Sequence, residues 1–184
     1  MRLLLGAALA WLLAGCGGRQ PGETHKLAER PASAAKELAI RTVDAAGLAS
    51  EVRESRGRVV LVDFWATWCQ PCLKLFPHAV DLERRFGPKG LTVITVSLDE
   101  PNNAAAVERF LRRQLAGKGA ESLRTCLGSY GVGSEAFTAF DISDGALPHV
   151  KIFGRDGRLL RSFASGGEAI DPRKIEAAVT QALK

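Results

Sequence analysis

The chain has 184 residues, of which 46% are hydrophobic and 24% are charged, and its formal net charge is +5. This composition is ordinary for a globular protein, and the length fits one domain with additional segments. The positive charges are spread along the sequence without a dense Lys/Arg block or a basic stripe interleaved with aromatic residues, so we expect no nucleic-acid binding.

The first residues have the layout of a secretory signal. One cation precedes an apolar stretch, residues 3–14, which is shorter than the roughly 20 residues that a membrane helix needs. The sequence LAGC at residues 13–16 resembles the bacterial lipobox. This resemblance implies cleavage before Cys16, followed by acylation of the Cys16 thiol and of the amino group that the cleavage exposes. We predict a lipoprotein signal peptide over residues 1–15. The alternative is an ordinary signal peptide that leaves Cys16 unmodified.

The next segment, residues 16–40, is rich in Gly, Pro and charged residues and contains few large apolar ones. Such a composition is typical of a flexible tether. We therefore predict a lipid anchor and tether over residues 16–40, followed by a folded domain over residues 41–184. This organisation implies a bacterial envelope protein whose domain faces the periplasm or the cell exterior.

Two β-branched apolar runs, Val59–Trp65 and Leu91–Ser97, predict strands that are covered on both faces. Between them, apolar residues recur at helical spacing and predict a helix over Pro71–Phe86. A second helix follows, with Asn102 or Asn103 as its cap. Strand, helix, strand and helix in this order predict parallel strands with right-handed crossovers.

The remainder of the chain has a different pattern of predicted elements. His149–Phe153 and Arg158–Phe163 flank a Gly-containing turn and predict a β-hairpin, and Asp171-Pro172 then opens a last helix. Residues 117–146 predict a loop with a short helix near Glu135–Phe140. A βαβ unit followed by a hairpin and a helix predicts an α/β fold with a central mixed sheet that helices cover on both faces.

Cys69 and Cys72 are separated by two residues at the predicted start of the first helix. The positive end of the helix dipole favours a thiolate at Cys69, and Cys72, three residues on, is placed to resolve a mixed disulfide. A zinc site needs four ligands, but the other candidates, Cys126, His78 and His149, have no paired spacing. Two inert thiols are the other alternative, which oxidising surroundings disfavour.

The sequence from Val62 to Cys72, together with Phe76-Pro77, resembles the thioredoxin superfamily, in particular its membrane-anchored TlpA/ResA-type branch. The resemblance extends from Thr42 to Lys184. It implies a thioredoxin-like three-layer fold and an extracytoplasmic thiol–disulfide oxidoreductase without a dissociable cofactor. It also implies protein disulfides or apocytochrome c as substrates and a membrane thiol–electron transporter as the reductant.

The resemblance also implies further site residues. A cis-proline faces the cysteine pair in this superfamily, and Leu147-Pro148 matches it. The TlpA/ResA branch commonly has a Glu at the position that Leu75 occupies here, whereas the thioredoxin branch has a buried Asp that Asp63 matches. We expect burial to raise the pKa of Asp63, so that its carboxylate takes the proton of Cys72. The alternative is a structural carboxylate paired with a nearby Lys.

Several neighbours are predicted to support the pair. Trp68 is expected to shield it, and Gln70-Pro71 and Leu147 are expected to tune its reduction potential. Strand alternation predicts that His149 points away from Cys69. Cys126 is interpreted as a small buried residue, with a resolving or regulatory thiol as the alternative. These neighbours leave the direction of electron flow open.

Two other functions compete on the same fold. A peroxiredoxin-like peroxidase needs a Thr three residues before its reactive Cys, and Ala66 lies at that position before Cys69. A copper or haem chaperone of the related kind spaces its cysteines three apart and adds a distant His, whereas this pair is two apart. We expect a monomeric oxidoreductase.

Overall fold

The computed structural model describes residues 38–120, 122–166 and 169–184. The predicted signal peptide, Cys16 and nearly all of the predicted tether lie outside the described residues. Within the described residues, the elements follow one another as β1 Ile40–Val43, α1 Ala45–Glu54, β2 Val59–Trp65, α2 Gln70–Phe86, β3 Leu91–Ser97, α3 Ala104–Leu115, β4 Arg124–Gly128, α4 Ser134–Ala139, β5 His149–Phe153, β6 Leu159–Ala164 and α5 Pro172–Leu183.

The six strands form one mixed sheet in the order β1-β4-β3-β2-β5-β6. β1, β4, β3 and β2 are parallel, while β5 is antiparallel to both β2 and β6. Every residue of the central strands β2 and β3 is buried, because helices cover both faces of the sheet there. The register places Asp63 of β2 between Thr95 of β3 and Val150 of β5.

Helices cover both faces of this sheet. On one face, α2, α3 and α5 pack against a core that includes Leu61 and Trp65 of β2. On the other face, α1 and α4 pack against a core that includes Val62 and Phe64. Because successive residues of a strand point to opposite faces, Asp63 shares the α2 face with Leu61 and Trp65. The predicted three-layer α/β fold is confirmed.

The central elements match their predicted bounds closely. Strands β2, β3 and β5 have the predicted limits, and α2 begins at Gln70, one residue earlier than predicted. Helix α5 opens at Pro172, and the side chain of Asp171 caps it by accepting a hydrogen bond from the backbone N–H of Arg173 at 2.9 Å. These elements were predictable because strong local patterns and caps specify them.

Other parts of the prediction need correction. The loop predicted over residues 117–146 contains a strand, β4, although the predicted short helix is present as α4. β4 is buried because it lies between β1 and β3, and its own sequence has little strand pattern. Strand β1 and helix α1 were not predicted, and β6 begins and ends one residue later than expected.

The predicted N-cap residue of α3 is confirmed, but the expected capping hydrogen bond is not formed. Asn103 occupies the N-cap position, but its side chain makes no capping hydrogen bond. Its amide instead donates to Asp99 at 2.9 Å. Within the described ranges, no helix has both the length and the apolar character needed to cross a bilayer.

Candidate active site

Cys69 and Cys72 lie at the amino-terminal end of α2 and are joined by a disulfide bond. Cys69 occupies the N-cap position, and its Sγ accepts a hydrogen bond from the backbone N–H of Cys72 at 3.3 Å. Pro71 fits the first turn because the N–H that proline lacks would have no helical acceptor there. Once the disulfide is reduced, the helix dipole favours the thiolate form of Cys69.

Exposed side chains surround this buried disulfide. Both cysteines are buried, whereas the neighbouring Trp68 is 53% exposed and Gln70 and Pro71 are also exposed. An exposed Trp beside a buried disulfide is a large apolar contact surface that a protein substrate can cover. The structure therefore places Trp68 at the surface beside Cys69.

The peptide bond between Leu147 and Pro148 is cis, as the resemblance implied. Pro148 directly precedes β5, whose His149 pairs with Phe64 of β2. Continuing this antiparallel register by one residue sets Pro148 opposite Trp65, at the end of β2 from which the chain leads to Cys69. Pro148 is buried and Leu147 is partly buried.

The segment between β2 and the cysteines is fixed by a buried carboxylate that the sequence analysis missed. Asp99 accepts hydrogen bonds from the backbone N–H of Thr67 at 2.8 Å, from Ser97 Oγ at 2.6 Å and from Asn103 Nδ2 at 2.9 Å. The hydroxyl of Thr67 also donates to it. The pattern Ser-x-Asp directly after a buried strand was the available indication. Asp99 positions the chain just before Cys69.

Asp63 lies on the α2 face of the sheet with only 2% of its surface exposed. Neither of its carboxyl oxygens has a hydrogen-bond partner among the residues that the structure describes, so the alternative pairing with a Lys is not present there. Burial raises the pKa of Asp63 from 3.8 to about 7. Leu75, one turn after Cys72 on α2, lines the same small cavity as Asp63.

A family model agrees with this architecture. The model of the AhpC/TSA family matches residues 31–161, which is more than half of the chain. The chain belongs to the AhpC/TSA family. The match contains the cysteine pair, Asp63 and the cis-proline, so the candidate site lies within the family's own domain.

Curated relatives of this AhpC/TSA domain are named thiol-disulfide oxidoreductases. The chain is 35% identical over 88 residues to the thiol-disulfide oxidoreductase ResA of Halalkalibacterium halodurans, covering 47% of this chain and 49% of that relative. It is 31% identical over 126 residues to ResA of Bacillus anthracis, covering 65% and 62%. The chain thus spans less than two thirds of the length of these relatives.

Solved structures show the same fold at lower identity. A thiol:disulfide interchange protein of the thioredoxin family from Chlorobium tepidum superposes with a TM-score of 0.54 at 19% identity, covering 77% of this chain and 91% of that one. The exposed lipoprotein thioredoxin Etrx1 of Streptococcus pneumoniae gives 0.50 at 16% identity, covering 71% and 89%. The predicted thioredoxin-like fold and the predicted resemblance to ResA are confirmed.

The remaining sequence candidates lie away from the pair. His149 packs beside Phe64 on the opposite face of the sheet, and its ring nitrogens bond Asp144 at 3.2 Å and Ser162 at 2.8 Å. Cys126 lies in the same opposite core, where burial raises its pKa to about 11 and disfavours a thiolate. The structure brings neither His149 nor Cys126 to the cysteine pair.

The zinc alternative finds no support in the described part of the chain. No cluster of three or more His, Cys, Asp or Glu side chains suited to a metal ion is present there. His78 lies on α2 and faces α5 rather than the cysteines.

Proposed function

We propose that this protein is an extracytoplasmic thiol–disulfide oxidoreductase that reduces disulfides of exported proteins or apocytochrome c. The observation that carries the proposal is the Cys69–Cys72 disulfide at the amino-terminal end of α2, with Trp68 exposed beside it. The name shared by the ResA relatives supports the same chemistry.

The reaction begins with the reduced pair. The thiolate of Cys69 attacks one sulfur of the client disulfide, so the client S–S bond breaks and a mixed disulfide forms. Cys72 then gives its proton to the carboxylate of Asp63 and attacks Sγ of Cys69. The Cys69–Cys72 disulfide forms, the client leaves as a dithiol after proton uptake from solvent, and two electrons have passed to the client.

The cellular setting is part of the proposal. A lipid anchor at Cys16 holds the domain at the membrane, where an integral thiol–electron transporter returns it to the dithiol form. The cysteine pair is itself the redox group, and no dissociable cofactor takes part. The protein acts as a monomer, Leu147 and Gln70-Pro71 adjust the reduction potential, and Pro148 faces the cysteine pair.

Trapping of the mixed disulfide tests the redox step. Cys72→Ser should accumulate disulfide-linked clients through Cys69, while the double variant Cys69→Ser/Cys72→Ser should accumulate none. Cys126→Ser is the matched control and should behave as the wild type. Equal alkylation of Cys69 and Cys72, with both thiols titrating near the ordinary value of about 8.5, would contradict an activated Cys69. Peroxide consumption at a comparable rate would favour the peroxidase alternative.

A separate experiment tests the anchor. Cys16→Ser should release the protein from membranes or leave its precursor uncut, because the acylated thiol is then missing. An unmodified mature amino terminus in the wild type, measured by mass spectrometry, would contradict lipidation without affecting the proposed redox activity.

A further inference from the structure

A small cavity of about 10 Å³ lies between β2, α2 and α5, and both Asp63 and His78 line it. The other walls are apolar side chains: Leu61, Leu75, Ala79, Leu82, Val150 and Ile175. Its size is at the lower limit for one water molecule, which needs roughly 10–15 Å³. Two ionisable groups therefore line one cavity whose other walls are apolar and include Leu75, one turn after Cys72.

Both groups present unsatisfied polar atoms. The two oxygens of Asp63 and Nε2 of His78 are buried and have no hydrogen-bond partner in the described ranges. Buried polar atoms in native proteins are nearly always bonded, so three such atoms around one cavity need an explanation. A water molecule in the cavity would bond an oxygen of Asp63 and Nε2 of His78 together.

The side of His78 that faces away from the cavity is near solvent. Its side chain is partly exposed, and the charged groups that face it are Asp81 and Arg85 on α2 and Glu176 on α5. The backbone of Pro172, at the start of α5, lies near the imidazole and acts to raise its pKa. His78 thus lies between the cavity and a surface of ion-paired side chains, in which Arg85 bonds Glu176.

We propose that His78 relays to solvent the proton that Asp63 receives from Cys72, through one water molecule in the shared cavity. The inference rests on the oxidoreductase function proposed above and deepens it. When Cys72 attacks Cys69, its proton passes to the carboxylate of Asp63. The resulting carboxylic acid gives a proton to the water while that water protonates Nε2 of His78. The imidazolium then loses its proton to bulk solvent, and Asp63 is again a carboxylate.

The electrostatics of both groups fit this path. Burial raises the pKa of Asp63 to about 7. Burial is also the main cause that lowers the pKa of His78, while Glu176 acts in the opposite direction. Near neutral pH the carboxyl group of Asp63 is therefore partly ionised and can take up and release a proton, while the imidazole of His78 is neutral and can accept one. Without His78, apolar side chains close the cavity around Asp63.

His78→Gln tests the relay, because glutamine keeps a polar side chain but carries no proton. In a single-turnover assay with a protein disulfide, the resolving step should slow by about 10-fold or more, and its pH dependence near pH 7 should flatten. Formation of the mixed disulfide by Cys69 should be unchanged. Leu82→Met is the matched control, since it alters a wall of the same cavity without changing a titratable group.

Two outcomes separate this inference from the proposed function. A wild-type protein that reduces no disulfide would overturn the oxidoreductase function. An active wild type with the same resolving rate and pH profile in His78→Gln would overturn the relay alone. If His78→Gln does not fold, the ring nitrogen signals of His78 in the wild type decide by NMR. They should show an inflection at the pH where Asp63 titrates, and Asp63→Asn should remove it. An unchanged titration in Asp63→Asn would overturn the relay.

Discussion

Burial of the Asp63 side chain opposes folding when its carboxyl group is charged. Its pKa is about 7 in the folded protein and takes the ordinary value of 3.8 in the unfolded chain. The folded protein therefore binds one more proton than the unfolded chain between these two pH values. By linkage, the free energy of unfolding decreases as the pH rises from about 4 to about 7 and then stays low. The site therefore retains Asp63 at the expense of stability.

Asp63→Asn should remove this pH dependence. The variant should match the wild type at pH 4 and should be more stable at pH 8, by up to about 4 kcal/mol, because a desolvated carboxylate is replaced by a neutral amide. Urea unfolding of the oxidised protein at both pH values measures the difference. Asp156→Asn, in the exposed β5–β6 turn, is the control. An equal gain at pH 4 and pH 8 would contradict the assigned pKa.

The same substitution should impair the redox reaction. Without a carboxylate on the α2 face of β2, the thiolate of Cys72 must form in an apolar core, which is unfavourable. We expect Asp63→Asn to slow disulfide reduction by roughly 10-fold or more. Stopped-flow measurement across pH 6 to 9 checks this. A rate and pH profile identical to those of the wild type would show that Asp63 has only a structural role.

At the scale of elements, the connection between β2 and α2 depends on β3. Asp99, just beyond β3, holds Thr67, and Thr67 lies two residues before Cys69. The start of α2, which carries the cysteines, is thus held in position by hydrogen bonds to a residue just beyond β3. Loss of these hydrogen bonds would leave buried donors unsatisfied and would release the chain around Trp68.

Asp99→Ala should therefore be strongly destabilising. We expect a loss of about 3 kcal/mol, since several donors lose a charged acceptor at once. Chemical denaturation measures it, and limited proteolysis should show new cleavage near Trp68. Glu108→Ala, which removes an exposed ion pair with Arg112 on α3, is the control and should cost at most about 1 kcal/mol. Equal losses in both variants would contradict the positioning role.

At the scale of the whole molecule, the edge of the sheet is joined to the rest by a buried glutamate. Glu51 on α1 pairs with Arg41 of β1 at 2.6 Å and with Arg124 of β4 at 2.9 Å. The carboxylate is almost fully buried, whereas both arginines are partly exposed. One side chain therefore joins three elements at this edge of the sheet.

Glu51→Gln should weaken this edge selectively. The two arginines lose their common counter-charge, and we expect a loss of about 2 kcal/mol in the free energy of unfolding. Hydrogen exchange should accelerate in β1 and β4 while the amides of β2 keep their protection. Uniform acceleration across the whole sheet would contradict a local role for Glu51.

The sequence predicted the centre of the fold better than its edges. β2 and β3 are recognisable because both faces of each strand are buried, which requires continuous apolar residues. β4 is not recognisable because its burial depends on the strands beside it. Short strands at the sheet edge carry too little pattern to be read alone.

The residues of the candidate site also differ in how well the sequence predicts them. The cysteine pair and the buried Asp63 follow from a contiguous motif, whereas the contacts between Asp99 and Thr67 join residues 32 positions apart in the chain. The position of His78 facing Glu176 depends on how α5 packs against α2. The Ser-x-Asp pattern at the end of β3 indicated Asp99 but not its contact with Thr67, and no local pattern indicated that His78 faces Glu176.

The sheet also separates the cysteines of the described chain. Cys69 and Cys72 lie in the core beneath α2, and Cys126 lies in the core on the opposite face. The folded domain therefore permits one intramolecular pairing among these three thiols, and any mispairing with Cys126 first requires the sheet to open. Oxidation and reduction of the Cys69–Cys72 pair, as proposed above, would then proceed without exchange with Cys126. For the proposed redox cycle, the sheet is thus a barrier between the pair and the third thiol, and its stability limits mispairing.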